Sequence, residues 1–226
     1  MHRRLHIISE HFKRALDRNS LSSMQRRRLL RTFAEKNGLV HFGDVDQHED
    51  DHRVVRGFTA SPTHKDSSFM TGTFEDRDVS VVDRFDMLFK GDHLVSKHRW
   101  LIGEFRLSSD DVPHVFLAPE HDSRVHYAKV FTAFRYLDRL SIEASADFTS
   151  RYKVLGSPSK QQEIEDLLDA NVRSVVGAHF WPLAVEVFEG SVYLYSCDQK
   201  LSHHALQVML KNGTWLSQVL DDNMNR

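Results

Sequence analysis

Residues 141–196 restrict the fold more than any other part of the sequence, because their apolar pattern changes period at clear breaks. Leu140, Ile142 and Ala144 alternate with polar residues, which predicts a half-buried strand. Four more apolar residues carry the pattern onward: Phe148, Tyr152, Val154 and Leu155. Gly156-Ser157-Pro158 then breaks it, so a different element is expected to follow.

A helix is predicted after this break. Ser159 and Gln162 have the spacing of a capping box, which predicts the helix start. Gly177 offers the left-handed conformation that ends many helices. Apolar residues recur at helical spacing between these points: Ile164, Leu167, Leu168, Val172, Val175 and Val176.

Two strands complete this unit. Residues 183–188 and 192–195 are apolar runs separated by Glu189-Gly190, a spacing typical of a tight β-hairpin. Because strand residues alternate and the helix presents one arc, we expect a single contiguous core. Its members should be Ile142, Phe148, Tyr152, Val154, Ile164, Leu167, Leu168, Val185, Val187, Val192 and Leu194.

Strand patterns also dominate the chain before this unit. The candidates are 39–42, 54–58, 69–74, 79–82, 99–107 and 115–117, and residues 73–79 are typical of a hairpin with a short polar turn. The run 99–107 carries Trp100, Ile102 and Phe105, so we expect it near the sheet centre.

Helical spacing returns after these strand patterns, over residues 201–220. Gly213 within this segment costs about 1 kcal/mol relative to alanine, so either one helix or two short helices are expected.

Composition places the chain among soluble globular proteins, with 226 residues, 40% of them hydrophobic and 27% charged. No apolar run approaches the roughly 18–20 residues of a membrane helix, and no signal peptide is recognised. Cys197 is the single cysteine, so no intramolecular disulfide is expected and a cytoplasmic location is predicted. At the end of a strand pattern, Cys197 is interpreted as a small structural residue and not as a nucleophile.

Positive charge is concentrated at the start of the chain. Residues 1–36 hold ten Lys/Arg against three Asp/Glu, a local charge of +7 in a chain whose net charge is −2. Two helices are predicted here, the first with an apolar side from Leu5 to Leu16 and the second capped by Ser22 and Gln25 and closed by Asn37-Gly38. The second helix carries the arginines that we identify as candidate polyanion-binding residues: Arg26, Arg27, Arg28 and Arg31. A solvated helix face is the alternative interpretation, since no aromatic residues alternate with these arginines.

Histidine is abundant, with fifteen residues, and this makes a metal site one interpretation of the sequence. The densest cluster is 44–52, where an extended chain would turn Asp44, Asp46, His48, Asp50 and His52 to one side. An acidic loop is the simpler interpretation, because the run lacks the spacing of a calcium-binding loop. His203-His204 and Glu120-His121-Asp122 are weaker candidates, and no metal or cofactor is assigned.

Most motifs of catalysis are missing from the sequence. There is no Gly-x-Ser-x-Gly elbow, glycine-rich phosphate loop or dinucleotide fingerprint, and the one His-Glu-x-x-His spacing, from His48 to His52, falls within the acidic run that is interpreted above as a loop. No catalytic residue is therefore predicted.

Several segments resemble a family of bacterial domains of unknown function. They are Phe33-Ala34-Glu35-Lys36-Asn37-Gly38-Leu39, Met70-Thr71-Gly72-Thr73-Phe74, the strands 105–117, residues 140–154 with the pattern Phe148-x-x-x-Tyr152-x-Val154, and 185–195. The similarity spans about residues 29–196. Where family members have a Pro-Asp-Val-Met helix start, this chain has Asp169-Ala170-Asn171-Val172, which implies two short helices at 159–168 and 171–177. Members often carry transmembrane helices, and the family implies no activity, ligand or site residue.

Taken together, the patterns predict an α+β protein with a largely antiparallel sheet covered by helices on one side. We expect a basic helical segment at 1–38, an α+β domain at 39–200 and a C-terminal helix at 201–226 that packs on it. The function favoured is a non-enzymatic binding or interaction module, with a protein among the candidate partners. Binding of nucleic acid or an anionic membrane surface through the basic helices is the first alternative, and a metal-dependent hydrolase at 44–52 is the second.

Overall fold

Nine strands and five α-helices make up the described chain, which in this computed structural model comprises residues 21–45, 65–90, 93–120 and 137–226. The strands are β1 (Val40–Val45), β2 (Lys65–Phe74), β3 (Arg77–Lys90), β4 (His93–Arg106), β5 (Val115–Pro119), β6 (Asp138–Arg139), β7 (Tyr152–Gly156), β8 (Ala184–Phe188) and β9 (Ser191–Cys197). The helices are α1 (Ser23–Lys36), α2 (Ala146–Arg151), α3 (Gln161–Leu167), α4 (Ala170–His179) and α5 (His203–Met224).

All nine strands belong to one antiparallel sheet, in the order β1-β2-β3-β4-β9-β8-β5-β7-β6. The α+β prediction is confirmed, and β4 lies near the sheet centre as expected. The predicted hairpin between β2 and β3 is present, and its turn residues Glu75 and Asp76 both have positive φ, at 48° and 63°. The strand predicted at 54–58 lies outside the described residues.

The helix α1 begins and ends as the sequence predicts. The Ser22 side chain accepts a hydrogen bond from the Gln25 backbone N–H, and the Gln25 side chain accepts one from the Ser22 N–H. Asn37 ends the helix and Gly38 follows with a φ of 71°. The preceding helix predicted over residues 5–16 lies outside the described residues, and the division of the chain at 38 and 200 stays a prediction.

The strand predicted from Leu140, Ile142 and Ala144 is wrong, since only Asp138 and Arg139 form strand there. Ser145 instead caps α2, where its side chain accepts a hydrogen bond from the Phe148 N–H. The alternating residues 140–144 form an irregular approach to that helix. Strand structure resumes only at Tyr152.

The predicted boundaries of the next helices also need correction. Pro158–Lys160 forms a 3₁₀ turn, and α3 begins at Gln161 with no side-chain cap, so the capping box at Ser159 and Gln162 is wrong. Gly177 does not end α4, which continues to His179. A Cβ at position 177 would lie 2.9 Å from the Phe148 backbone, so glycine serves helix packing there. The expected division into two short helices is confirmed, and so is the hairpin at Glu189-Gly190, with φ values of 41° and 70°.

The C-terminal helix is continuous, so the alternative of two short helices divided at Gly213 is wrong. Glycine is required there by packing against β4, not by a change of helix direction.

Every described helix packs on the same face of the sheet. The predicted core is confirmed: ten of its eleven residues are buried in one cluster with residues of the helices, and Ile142 packs against it half-buried. Among the helices in the described ranges, none combines the length and apolar content that a membrane span requires.

Candidate functional site

The sheet face opposite the helices, here called the second face, is built by strands and carries both rings and charges. Side chains alternate between the two faces along each strand, and the two residues of each β4–β9 pair project to the same face. The buried cluster on the second face consists of Phe69, Val82, Trp100, Ile102, Phe116, Ala118, Leu155, Ala184, Tyr193, Tyr195 and Cys197. Polar side chains lie on the same face, between these apolar residues.

An ion pair lies buried on the second face between β2 and β3. Arg84 Nε and Nη2 donate to the two carboxylate oxygens of Asp66 at 2.8 and 2.9 Å, and both side chains are 0% exposed. This two-point geometry compensates for part of the cost of removing both charges from water.

Two glutamates are held by tyrosine hydroxyls farther along the same face. Glu104 Oε1 accepts hydrogen bonds from Tyr193 Oη at 2.9 Å and Ser191 Oγ at 3.1 Å. Glu186 accepts from Tyr195 Oη at 2.6 Å and lies 2.7 Å from His114 Nε2. Burial, and then the charge of Glu186, raise the pKa of Tyr195 well above its ordinary value. Tyr195 is therefore a hydrogen-bond donor at neutral pH and not a base.

A cleft of about 550 Å³ opens on the second face beside the edge strand β1. Its walls are Val40, Phe42, Thr71, Gly72, Thr73, Asp78, Ser80, Glu104 and Arg106. Val40 and Phe42 are 56% and 60% exposed, which is high for large apolar residues. The hydroxyls of Thr71 and Ser80 bond to each other at 2.9 Å, and Thr73 donates to Asp78 at 3.3 Å. The cleft thus combines an apolar wall with a polar wall of hydroxyl and carboxylate groups and the Arg106 guanidinium, which binds Asp110 at 2.6 Å.

Three potential metal ligands meet on the second face where β9 ends, beside His98 within β4. His98 Nδ1 lies 3.1 Å from Asp198 Oδ2 and 3.8 Å from Cys197 Sγ, and the Cys197 thiol lies 3.4 Å from the same carboxylate oxygen. Burial by itself would raise the pKa of Asp198, but hydrogen bonds from His98, the Arg99 N–H and Cys197 outweigh it and lower that pKa. Asp198 is therefore ionised at neutral pH.

The structure separates the four arginines proposed for polyanion binding. Arg26 is buried and donates to both carboxylate oxygens of Asp83, at 3.1 and 2.7 Å. Arg27, Arg28 and Arg31 are exposed on α1. Arg27 binds Asp44 at 2.5 Å and Arg31 binds Glu35 at 2.9 Å.

The other predicted metal candidates are only partly described. Asp44 is the ion-pair partner of Arg27, while residues 46–52 lie outside the described residues. His203 packs its ring 6.0 Å from that of Phe33. Glu120 lies 2.8 Å from Lys153 Nζ, and His121 and Asp122 lie outside the described residues.

Sequence reasoning missed the groups that the fold assembles on the second face. Glu104, Glu186, His98 and Asp198 were not identified, because each has at least one partner that is distant in the sequence. The local signal was Cys197-Asp198 at the end of a strand pattern, but its partner His98 lies 99 positions before Cys197.

Comparisons with known proteins give one structural likeness. No protein-family model matches the chain, and no curated protein matches it. A solved structure described as the mycobacterial trehalose monomycolate transport factor A, TtfA, is similar with a TM-score of 0.52 and 7% sequence identity, over 88% of this chain and 94% of that one. This likeness shows a shared fold. The resemblance to a bacterial family of unknown function stays a prediction.

Proposed function

We propose that this chain is a non-enzymatic binding module that holds an amphiphilic, hydroxyl-bearing ligand in the cleft beside β1. The observation that carries the proposal is the exposure of Val40 and Phe42 next to a polar wall of the same cleft. Its volume of about 550 Å³ suits a small-molecule ligand.

The lining favours a ligand with two chemically distinct parts. Phe42 packs its ring 5.8 Å from that of Phe69, which holds one aromatic surface in place for an apolar group. The carboxylates of Asp78 and Glu104 accept hydrogen bonds and suit the donors of a polyhydroxylated group. A ligand with both parts would cover the apolar wall and bond to the polar wall at once.

The structural neighbour is compatible with a binding role. It is described as a transport factor. At 7% identity the neighbour supports the fold alone, so the ligand class rests on the cleft itself.

Calorimetric titration with an alkyl glycoside below its critical micelle concentration tests this proposal. We expect saturable binding by the full chain, and weaker binding of the free sugar or of an alkyl sulfonate. Phe42→Ser should lower the affinity about tenfold or more, since it removes the aromatic surface of the apolar wall. Met24→Ser is the matched control, because Met24 is exposed on α1 away from the cleft residues. The proposal would be refuted if the parent chain did not bind the glycoside, or if Phe42→Ser and Met24→Ser bound it with equal affinity.

Binding to an anionic surface or nucleic acid is a second candidate, supported by the exposure of Arg27, Arg28 and Arg31 on one helix. Residues three or four apart share a helix face, so these three form one cationic patch. The ion pairs with Asp44 and Glu35 compete with an external anion. Affinity for a polyanion should then fall steeply with salt, and replacing the three arginines by alanine should reduce that slope. An unchanged slope would exclude this candidate.

A further inference from the structure

We propose that His98, Cys197 and Asp198 form a binding site for a divalent cation of the zinc class. The ring nitrogen, the thiol sulfur and the carboxylate oxygen of these residues all lie within 4.8 Å of one another. Nitrogen and sulfur ligands with one carboxylate favour zinc over the harder calcium and magnesium ions.

The separations fit three corners of a tetrahedral site. Bonds of about 2.0–2.3 Å from zinc to nitrogen, oxygen and sulfur place neighbouring ligand atoms about 3.3–3.6 Å apart in a tetrahedron. The three observed separations are 3.1, 3.4 and 3.8 Å. Each therefore needs only a few tenths of an ångström of adjustment to accept the ion.

The direction of approach distinguishes a metal site from a catalytic triad. In a triad the imidazole uses one ring nitrogen for the nucleophile and the other for the carboxylate. Here both the Cys197 thiol and the Asp198 carboxylate approach Nδ1 of His98. All three ligand atoms thus surround one point, as coordination of an ion requires.

The surrounding structure holds the ligands in position. Cys197 pairs with Trp100 in the β4–β9 register, and His98 lies two residues from Trp100 on the same strand. The Arg99 N–H donates to Asp198 Oδ1 at 2.8 Å, while Oδ2 faces the histidine and the thiol. A hydrogen bond to the second carboxylate oxygen is the kind of support that orients ligands in known metal sites.

An ion can reach this site from solvent. Cys197 and His98 are buried, but the Asp198 side chain is 34% exposed and forms the outer wall. On binding, the thiol releases its proton to water and coordinates as thiolate. Three protein ligands leave a fourth tetrahedral position for water.

Titration of the metal-free full chain with Co²⁺ tests the site directly. Because Cys197 is the single cysteine, a thiolate-to-cobalt charge-transfer band can come only from this residue. We expect the band to saturate at one Co²⁺ per chain and to disappear when Zn²⁺ displaces the cobalt. Cys197→Ser should abolish it.

Variants of the other two ligands show whether all three residues bind the ion or Cys197 binds it alone. Asp198→Asn and His98→Ala should each weaken cobalt binding about tenfold or more, as even supporting residues of metal sites do when mutated. His204→Ala is the control, since His204 is an exposed histidine on α5. Circular dichroism of the ion-free variants checks their folding, and Asp198→Asn decides the result if Cys197→Ser does not fold. The proposal would be overturned if no thiolate band appeared. It would also be overturned if Asp198→Asn and His98→Ala bound cobalt as tightly as the parent chain.

Discussion

Phe105 occupies the space into which a side chain at Gly213 would project. An ideal Cβ built on Gly213 would lie 2.0 Å from Cε2 of the Phe105 ring, far inside van der Waals contact. The glycine lets α5 approach β4 closely enough to cover the buried ring.

Gly213→Ala should therefore destabilise the protein, although alanine is ordinarily better than glycine in a helix by about 1 kcal/mol. Overpacking of a filled core costs about 1–3 kcal/mol and should exceed that gain. Urea unfolding measures the difference, with Lys211→Ala on the exposed side of the same helix as the control. A more stable Gly213→Ala variant would show that the helix and sheet are not packed as described.

Removing one member of the buried Asp66–Arg84 pair should have a large effect. Asp66→Asn removes the carboxylate from this buried two-point ion pair, and breaking such a pair costs about 3–5 kcal/mol. The exposed Arg31–Glu35 pair provides the comparison, because Glu35→Gln should cost less than about 0.5 kcal/mol. Equal losses measured by denaturant unfolding would contradict the burial of Asp66.

Leu167 anchors the short helix α3 to the core. The helix is too short to be stable alone, so its formation depends on packing. Leu167→Ala should cost about 2–5 kcal/mol, as truncation of a buried leucine usually does. Gln162→Ala, on the exposed side of α3, should cost much less. A loss below about 1 kcal/mol for Leu167→Ala would mean that this core is misassigned.

His41 should make the folded protein sensitive to mild acid. Burial, followed by the positive charges of Arg27 and Arg31, lowers the pKa of His41 below its ordinary value of 6.5, despite opposing effects of Glu35 and Asp44. The unfolded chain then binds a proton at higher pH than the folded chain. Stability therefore falls as the pH drops below 6.5 and stops falling once the pH is below the folded-state pKa.

His41→Gln removes this proton-linked loss, so the variant should lose less stability than the parent between neutral and mildly acidic pH. Unfolding midpoints on both sides of pH 6.5 measure the effect. Arg31→Gln supplies an independent check, since removal of a nearby positive charge should raise the pKa of His41 in an NMR titration. Parallel pH profiles for the parent and His41→Gln would exclude the linkage.

Local periodicity was sufficient for much of the fold. Ile164, Leu167 and Leu168 share one helical arc, and Val185 and Val187 alternate inward with Val192 and Leu194, so their common core followed from spacing alone. Periodicity failed at residues 140–144, where three alternating residues are too few to outweigh the Ser145 cap. It also predicted β3 and β4 to be shorter than they are, because buried charged residues such as Asp83 and Arg84 interrupt the expected apolar pattern.

The candidate sites depended on contacts that no local pattern contains. Phe42 and Glu104 line one cleft from β1 and β4, and His98 meets Cys197 only because β4 pairs with β9. These pairings are set by the order of strands in the sheet. A single sequence gives the strands but not that order.

The β4–β9 pairing also has a consequence for how the chain is assembled. Strands β2, β3 and β4 pair as successive hairpins and can form soon after they are synthesised. The outer edge of β4, by contrast, has to wait for residues 191–197, because Trp100 pairs with Cys197 across a long stretch of chain. Until then the nascent half-sheet exposes an unpaired strand edge, the feature that most readily recruits a foreign strand. Pairing with β9 therefore covers this edge of β4 and removes that route to misassembly.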